Sequence, residues 1–307
     1  MFAYVKQKQY FCGVKEKRMF IQILEWLGIM AVLTVIAMGV WMLCGGSQTT
    51  ASLKWLQFGQ TVATFLLPPI LCAWMWDKGH RPFRWLKMDN GQWKMDKGQW
   101  VLILLAIGIM IVAIPAINLL ADLNGRVSLP QSLASLEYRL RAMEEAAAAL
   151  TEQFLQADNI GTLLINIGLM ALLPALSEEL SFRGTLQQII SGDGVRVGYR
   201  VHVAIWVTAI VFSAVHMQFY GFIPRMLMGA MFGYIFVWTG SLWVPIVMHF
   251  TNNGLAVLAY YLFDGIGENG KNYADTFGAG TTWYIGVLSL VITSLGLLIF
   301  YRRTHTR

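Results

Sequence analysis

Apolar residues run in long blocks along this chain, and short polar stretches separate them. A block of about 20 mostly apolar residues can cross a bilayer as a helix. Eight blocks reach or approach that length: Ile21–Cys44, Trp55–Trp76, Trp100–Leu120, Gly161–Ile190, Val201–Phe219, Phe222–Trp238, Leu242–Phe263 and Trp283–Tyr301. The fourth is long enough to protrude and has polar interruptions, and the sixth is short. Trp55, Trp76, Trp100, Trp238, Trp243 and Trp283 lie near block ends, where an interfacial aromatic belt belongs. The pattern predicts an all-α, polytopic membrane helix bundle of about eight transmembrane helices.

Residues 131–157 follow a different rule. Leu133, Leu136, Leu140, Met143, Ala147, Leu150 and Phe154 recur every three or four residues, while Glu137, Arg141, Glu144 and Glu145 occupy other faces. This predicts an amphipathic extracytoplasmic helix that lies on the outer membrane surface or caps the bundle. The chain then divides into an N-terminal membrane region (1–160), a core rich in polar motifs (161–263), and a last helix with a basic tail (264–307).

Composition agrees with a membrane protein. Of the 307 residues, 56% are hydrophobic and 13% charged, about half the charge of a soluble domain. That excludes a disordered chain and an ordinary cytosolic globule. The net charge of +6 does not mark a nucleic-acid binder, because the basic residues fall between apolar blocks. With the N-terminus inside, seventeen of the 23 Lys and Arg residues lie on inside segments; Lys54, Arg126, Arg139, Arg141, Arg225 and Lys271 lie outside. The bias predicts a multi-pass protein of the cell membrane with both termini cytoplasmic. The first block is too long for a cleaved signal peptide, and no small-residue cleavage site follows it. Cys12, Cys44 and Cys72 are widely spaced and form neither a disulfide framework nor a zinc motif.

Three blocks carry polar groups that are costly in a bilayer, about 2.5–3.5 kcal/mol for a central charge. The fourth holds Glu178, Glu179 and Arg183, the fifth Phe212 and His216, and the seventh His249 and Asn253. Glu179 and Arg183 are spaced i,i+4 and can pair on one helix face. Glu178 points about 100° away and is left as a carboxylate without a local partner. His249 and Asn253, again i,i+4, present two hydrogen-bonding groups together. Counted at about 1.5 Å per residue, Glu178 and His216 lie about 20 Å from one membrane side and His249 about 12 Å; helix tilt or a recessed Thr239-Gly240-Ser241 turn could absorb the difference.

A glutamate and a neutral histidine can hold one water and take its proton. A second histidine with an amide can stabilise an oxyanion. Together they suit hydrolysis of an amide carbonyl. No Ser, Cys or Thr nucleophile with a base at fixed spacing is evident, and HExxH is absent. Glu178, His216 and His249 could also bind a catalytic zinc, since His₂Glu is a known ligand set. Each group also has a bland reading: a polar network around Arg183, a packed histidine, a helix–helix clamp. Gly229 and Gly233 form GxxxG, read as close packing inside the bundle.

At these residues the chain resembles the CPBP (CAAX protease and bacteriocin-processing) family of intramembrane proteases, bacterial relatives of the CAAX prenyl endopeptidases, also called the Abi family. Its motifs EExxxR, FxxxH and HxxxN/D occur here in order as Glu178 to Arg183, Phe212 to His216, and His249 to Asn253. The likeness covers residues 161–257. It implies an intramembrane endopeptidase with a membrane-associated peptide or protein as substrate and the lipid bilayer as surroundings. Glu178 would activate water, His216 would hold it, and His249 with Asn253 would form the oxyanion site. Glu179, Arg183 and Phe212 would support them structurally. The metal-free mechanism is favoured, with a divalent metal such as zinc the alternative. A non-catalytic membrane scaffold or bacteriocin-immunity factor of the same fold is the other functional reading, and a proton-coupled transporter a third.

Overall fold

A computed structural model describes residues 2–77, 79–89, 97–192, 198–263 and 277–306; the side chains of residues 1–17, 97 and 99 are also outside the description. The expected inside charges Lys6, Lys8, Lys15, Lys17, Lys78, Lys94, Lys97, Arg196 and Arg307, together with Cys12 and Lys271, fall outside the described side chains. Among the described residues the structure is helical and holds no strand. The described residues are organised by nine helices: α1 (Phe2–Leu43), α2 (Thr50–Trp76), α3 (Lys97–Gly125), α4 (Ala134–Leu155), α5 (Ile160–Ser191), α6 (Tyr199–Ala214), α7 (Phe222–Thr239), α8 (Trp243–Phe263) and α9 (Trp283–His305).

Six of these are long and apolar enough to cross a membrane by length and composition: α1 from Arg18, α2, α3 from Trp100, α5, α7 and α9 with its lead-in turn. The other two expected spans differ in instructive ways. The helix expected over Val201–Phe219 ends at Ala214, because the chain turns over 215–217 with Met217 at φ 55°, a left-handed conformation unusual for a bulky side chain. Helix α8 has length enough, but His249, Thr251, Asn252 and Asn253 dilute its apolar character. Both pack between longer helices, so fewer of their side chains need to be lipid-soluble.

The outward faces are apolar. Along α1, Val32, Val35 and Ile36 are exposed, and along α9, Leu288, Val291, Leu295 and Ile299 are exposed. Continuous stripes of this kind belong to a surface that meets lipid. Of the six tryptophans expected in the belt, Trp55, Trp100, Trp243 and Trp283 are exposed, while Trp76 and Trp238 are half-buried. Glu25, near a block end in the sequence, accepts a hydrogen bond from Trp76 Nε1 at 2.6 Å. The chain is a multi-pass helical membrane protein.

Two local devices hold the bundle. Pro115 lies inside α3, where it removes a backbone donor. Ser289 of α9 accepts from Ala116 N–H (3.1 Å) and donates to the Val112 carbonyl (2.5 Å), so a hydroxyl from a neighbouring helix enters the interrupted ladder. At one end of the bundle, a short turn (Pro82–Trp85) and the residues after it clasp the start of α8. Leu242 N–H donates to Lys87 O (3.1 Å), Trp243 Nε1 to Met88 O (3.0 Å), and Leu242 is fully buried. The clasp follows directly on the Thr239-Gly240-Ser241 turn, where Gly240 takes φ 65° to close α7. One apolar core joins α3, α7, α8 and α9 through Met110, Phe232, Met248 and Phe300.

Helix α4 forms where the heptad pattern places it, with Gln131–Leu133 as a lead-in turn. Phe154 is buried, whereas Leu133, Leu136, Met143 and Leu150 stay exposed. Polar contacts anchor it. Glu137 accepts from Leu129 N–H and pairs with Arg141, Glu144 accepts from Tyr220 N–H, and Gln153 donates to Thr50.

Candidate functional site

Helix α5 begins with Asn159 as its cap, the side-chain oxygen accepting from Thr162 N–H at 3.0 Å. It is interrupted by two π turns, Ile167–Leu172 and Phe182–Gln187, which bracket the two glutamates. A third π turn, Val62–Leu66, lies in α2. A π turn leaves carbonyls free of the normal ladder and often marks a functional stretch. Side chains near the glutamates use two of these carbonyls: Ser181 Oγ donates to Phe65 O (2.8 Å) and Asn253 Nδ2 to Met170 O (3.4 Å); Thr185 Oγ1, inside the second π turn of α5, donates to Leu180 O (3.0 Å).

Glu179 and Arg183 make the expected pair. Arg183 Nη1 lies 2.7 Å from Glu179 Oε1, and both side chains are 0% exposed. Arg183 is thus interior, a correction to its counting among the inside-facing charges. Its guanidinium lies over the Phe212 ring at 4.5 Å and donates through Nη2 to the Gly229 carbonyl at 2.9 Å. Gln187, one turn on, donates to the Gly233 carbonyl at 3.1 Å. The two glycines of GxxxG therefore receive α5 polar groups inside the bundle. A Cβ at Gly229 would lie 3.1 Å from Phe212, and one at Gly233 would lie 2.8 Å from Gln187 Oε1.

His249 bridges the two glutamates. Its Nδ1 is 3.0 Å from Glu179 Oε1, and its Nε2 is 3.9 Å from Glu178 Oε2. Because a carboxylate accepts, Nδ1 carries a proton. The Phe232 ring stacks on the imidazole, with centroids 5.4 Å apart and planes 27° apart. Glu178 keeps 15% of its side chain exposed against 0% for Glu179, so only Glu178 is open to a reactant. The carboxylate singled out as lacking a local partner is the accessible one.

His216 sits just past the end of α6. Its Nδ1 is 2.8 Å from the Phe212 carbonyl, which can only accept, so Nδ1 carries the proton and Nε2 presents a lone pair. Phe212 meets both imidazoles edge-on, at 5.3 Å from His216 and 6.0 Å from His249. The three helices named by the motifs therefore converge on one aromatic ring. Asn253 is turned to the Met170 carbonyl and accepts from Asn252 Nδ2 (3.0 Å), and it makes no hydrogen bond to His249. Among the described residues, no three His, Cys, Asp or Glu side chains gather in a metal-binding arrangement, and the Glu178–His216–His249 set is no exception. The residues as placed do not fit a zinc ion.

Sequence reasoning missed Phe232, which carries the His249 stack, and the carbonyls of Gly229 and Met170. No local pattern signals a carbonyl acceptor on another helix. Arg225, counted among the outside charges, is half-buried and lies within electrostatic range of Glu178 and His216.

Comparison with known proteins points to the same stretch. Residues 160–255 match the family described as type II CAAX prenyl endopeptidase Rce1-like, the group that the three motifs resemble. The uncharacterized protein YpbD of Bacillus subtilis (strain 168) is 31% identical over 85 residues. That alignment covers 26% of this chain and 38% of the Bacillus protein, so the chain spans well under half of its relative. No solved structure matches.

Proposed function

We propose that this CAAX-protease-like membrane protein is an intramembrane endopeptidase that hydrolyses a peptide bond of a membrane-associated protein or peptide. The carrying observation is the accessible Glu178 carboxylate 3.9 Å from His249 Nε2, with the other face of that imidazole held by the buried Glu179–Arg183 pair. At 3.9 Å the two atoms are too far apart for a direct hydrogen bond, but a water off their axis can lie about 2.8 Å from each.

Glu178 takes a proton from that water as its oxygen attacks the substrate carbonyl carbon. The bare Nε2 of His216 accepts the water's second hydrogen and orients its lone pair. In this role His249 donates from Nε2 to the developing oxyanion while Nδ1 stays bonded to Glu179, and Asn253 supplies a second amide donor after a rotation away from Met170. Collapse of the tetrahedral intermediate breaks the C–N bond, and Glu178 returns its proton to the leaving amine.

The test compares membrane peptides in cells carrying the wild-type chain or Glu178→Gln, which keeps shape and removes the base. Products present only with the wild-type chain support the reading, and unchanged products with Glu178→Gln remove the base. Activity of chelator-washed protein is expected to persist; zinc bound in stoichiometric amount, with activity tracking it, reassigns Glu178, His216 and His249 as ligands.

A further inference from the structure

His216 stands past the regular ladder of α6. Its N–H reaches Ser213 O at 3.3 Å, and the chain then turns through Met217 at φ 55°. That left-handed conformation is costly for a residue with a Cβ, and it persists where the surroundings hold it. The bond from His216 Nδ1 to the Phe212 carbonyl orients the ring only while this turn keeps its shape.

Side chains from other helices supply the hold, one backbone group after another. Asn124, in the last turn of α3 and 6% exposed, donates through Nδ2 to Phe219 O (3.0 Å) and accepts from Ile223 N–H (3.1 Å). Glu144 of α4 accepts from Tyr220 N–H (3.0 Å), and Arg141 lies over the Tyr220 ring at 4.3 Å. Ser213 of α6 donates to Phe222 O (2.7 Å). Helix α7 has no side-chain cap of its own, so Asn124 serves its first turn from α3.

The support under Glu144 is itself fixed. Buried Asn166 of α5 donates to Leu155 O (3.0 Å) and Gln156 O (3.3 Å) at the end of α4, and accepts from Lys54 Nζ of α2 at 2.7 Å. Helix α4 is therefore tied to two spans at its far end and meets the loop after His216 from a fixed position.

We propose that Asn124 and Glu144 are positioning residues for His216: they clamp residues 219–223 and so hold the turn that aims the imidazole Nε2. Neither touches the glutamates or the imidazoles; both act through the loop. The purpose of the clamp rests on the endopeptidase reading, but the clamp itself is read without turnover. It gives the amphipathic helix a part in the site.

The experiment uses the full chain in phosphatidylcholine vesicles, with heavy nitrogen in its histidine rings, so that magnetic resonance reports each tautomer. His216→Gln and His249→Gln assign the two signals. The wild-type chain is expected to show His216 in the Nδ1–H form alone. Glu144→Ala is expected to replace it by an average of both tautomers while the His249 signals stay in place. Glu144→Gln, which keeps an acceptor for Tyr220 N–H, restores the single form. Asn124→Asp keeps the acceptor for Ile223 N–H, loses the donor to Phe219 O, and is expected to fall between. Membrane-peptide products that depend on Glu178 are expected to drop about tenfold in Glu144→Ala, within the cost that a small misplacement carries. A His216 signal that neither Glu144→Ala nor Asn124→Asp moves overturns the proposal. So does joint disturbance of His216 and His249, which makes these bonds general support for the bundle. Faster hydrogen exchange in the first turn of α7 with His216 unmoved leaves Asn124 a helix cap and overturns it as well. Undiminished products despite averaged tautomers remove the positioning role. Averaged tautomers in Glu144→Ala, where the wild-type chain yields no products, keep the clamp and remove the endopeptidase reading.

Discussion

Glu178 and Glu179 are neighbours in sequence with opposite situations. Glu179 is sealed between Arg183 and His249, while Glu178 keeps part of its side chain exposed and faces the second imidazole nitrogen. Removing a partner of the sealed pair strands a buried charge, so Arg183→Ala is expected to lower stability by about 3–5 kcal/mol. Thermal unfolding in detergent measures this. Glu178→Gln is expected to leave the melting temperature nearly unchanged while abolishing cleavage, and equal destabilisation by both variants would make Glu178 a structural residue too. His249→Ala is expected to lose cleavage as well as stability, because it removes both the oxyanion donor and the ligand of Glu179.

At the scale of helices, close approach decides how α5, α6 and α7 meet. Gly229 and Gly233 admit Arg183 and Gln187 from α5, and Ile205 of α6 packs on Gly233. Gly233→Val is expected to overpack this seam and destabilise by about 1–3 kcal/mol, read again by thermal unfolding. An unchanged melting temperature would mean the seam is loose. Helix α4 is held differently, by charge outside the spans. Arg141 bonded to Glu137, with help from Leu129 N–H, keeps the Glu137 carboxyl below its ordinary range. A lowered carboxyl stabilises the folded state fully above its unfolded value, about 4.3, and loses that contribution as pH falls through the lower native value. Hydrogen-exchange protection over residues 127–145, taken relative to the intrinsic rate at each pH, is expected to fall as pH drops through that window, and Glu137→Gln is expected to remove the dependence.

For the whole molecule, six of the described helices are long and apolar enough to cross a membrane, and two shorter or more polar helices pack among them. The Lys and Arg bias predicts that both termini lie on the cytoplasmic side, with α4 on the other. Reporters fused at each terminus and cysteine labelling at exposed Arg139 in intact cells test this: termini inside and residue 139 labelled from outside. Labelling of position 139 only after lysis reverses the orientation.

Much of this was legible in the residues. Block length needs no partner to be read, since a lipid environment imposes one helix per apolar run. The i,i+4 pairing of Glu179 with Arg183 is likewise a property of one helix, and so is the amphipathic stripe of α4. What the sequence by itself determined is therefore what a single helix can express: its length, its faces, and which charges it carries at a cost. Tertiary structure alone decided that His249 stands between the two glutamates, that Asn253 turns to a π-turn carbonyl, and that Arg225 comes within electrostatic range of Glu178. Those outcomes depend on where separate helices cross. Crossing geometry is set by glycines, rings and carbonyl acceptors on other segments, groups whose local patterns carry no record of the neighbour they will meet.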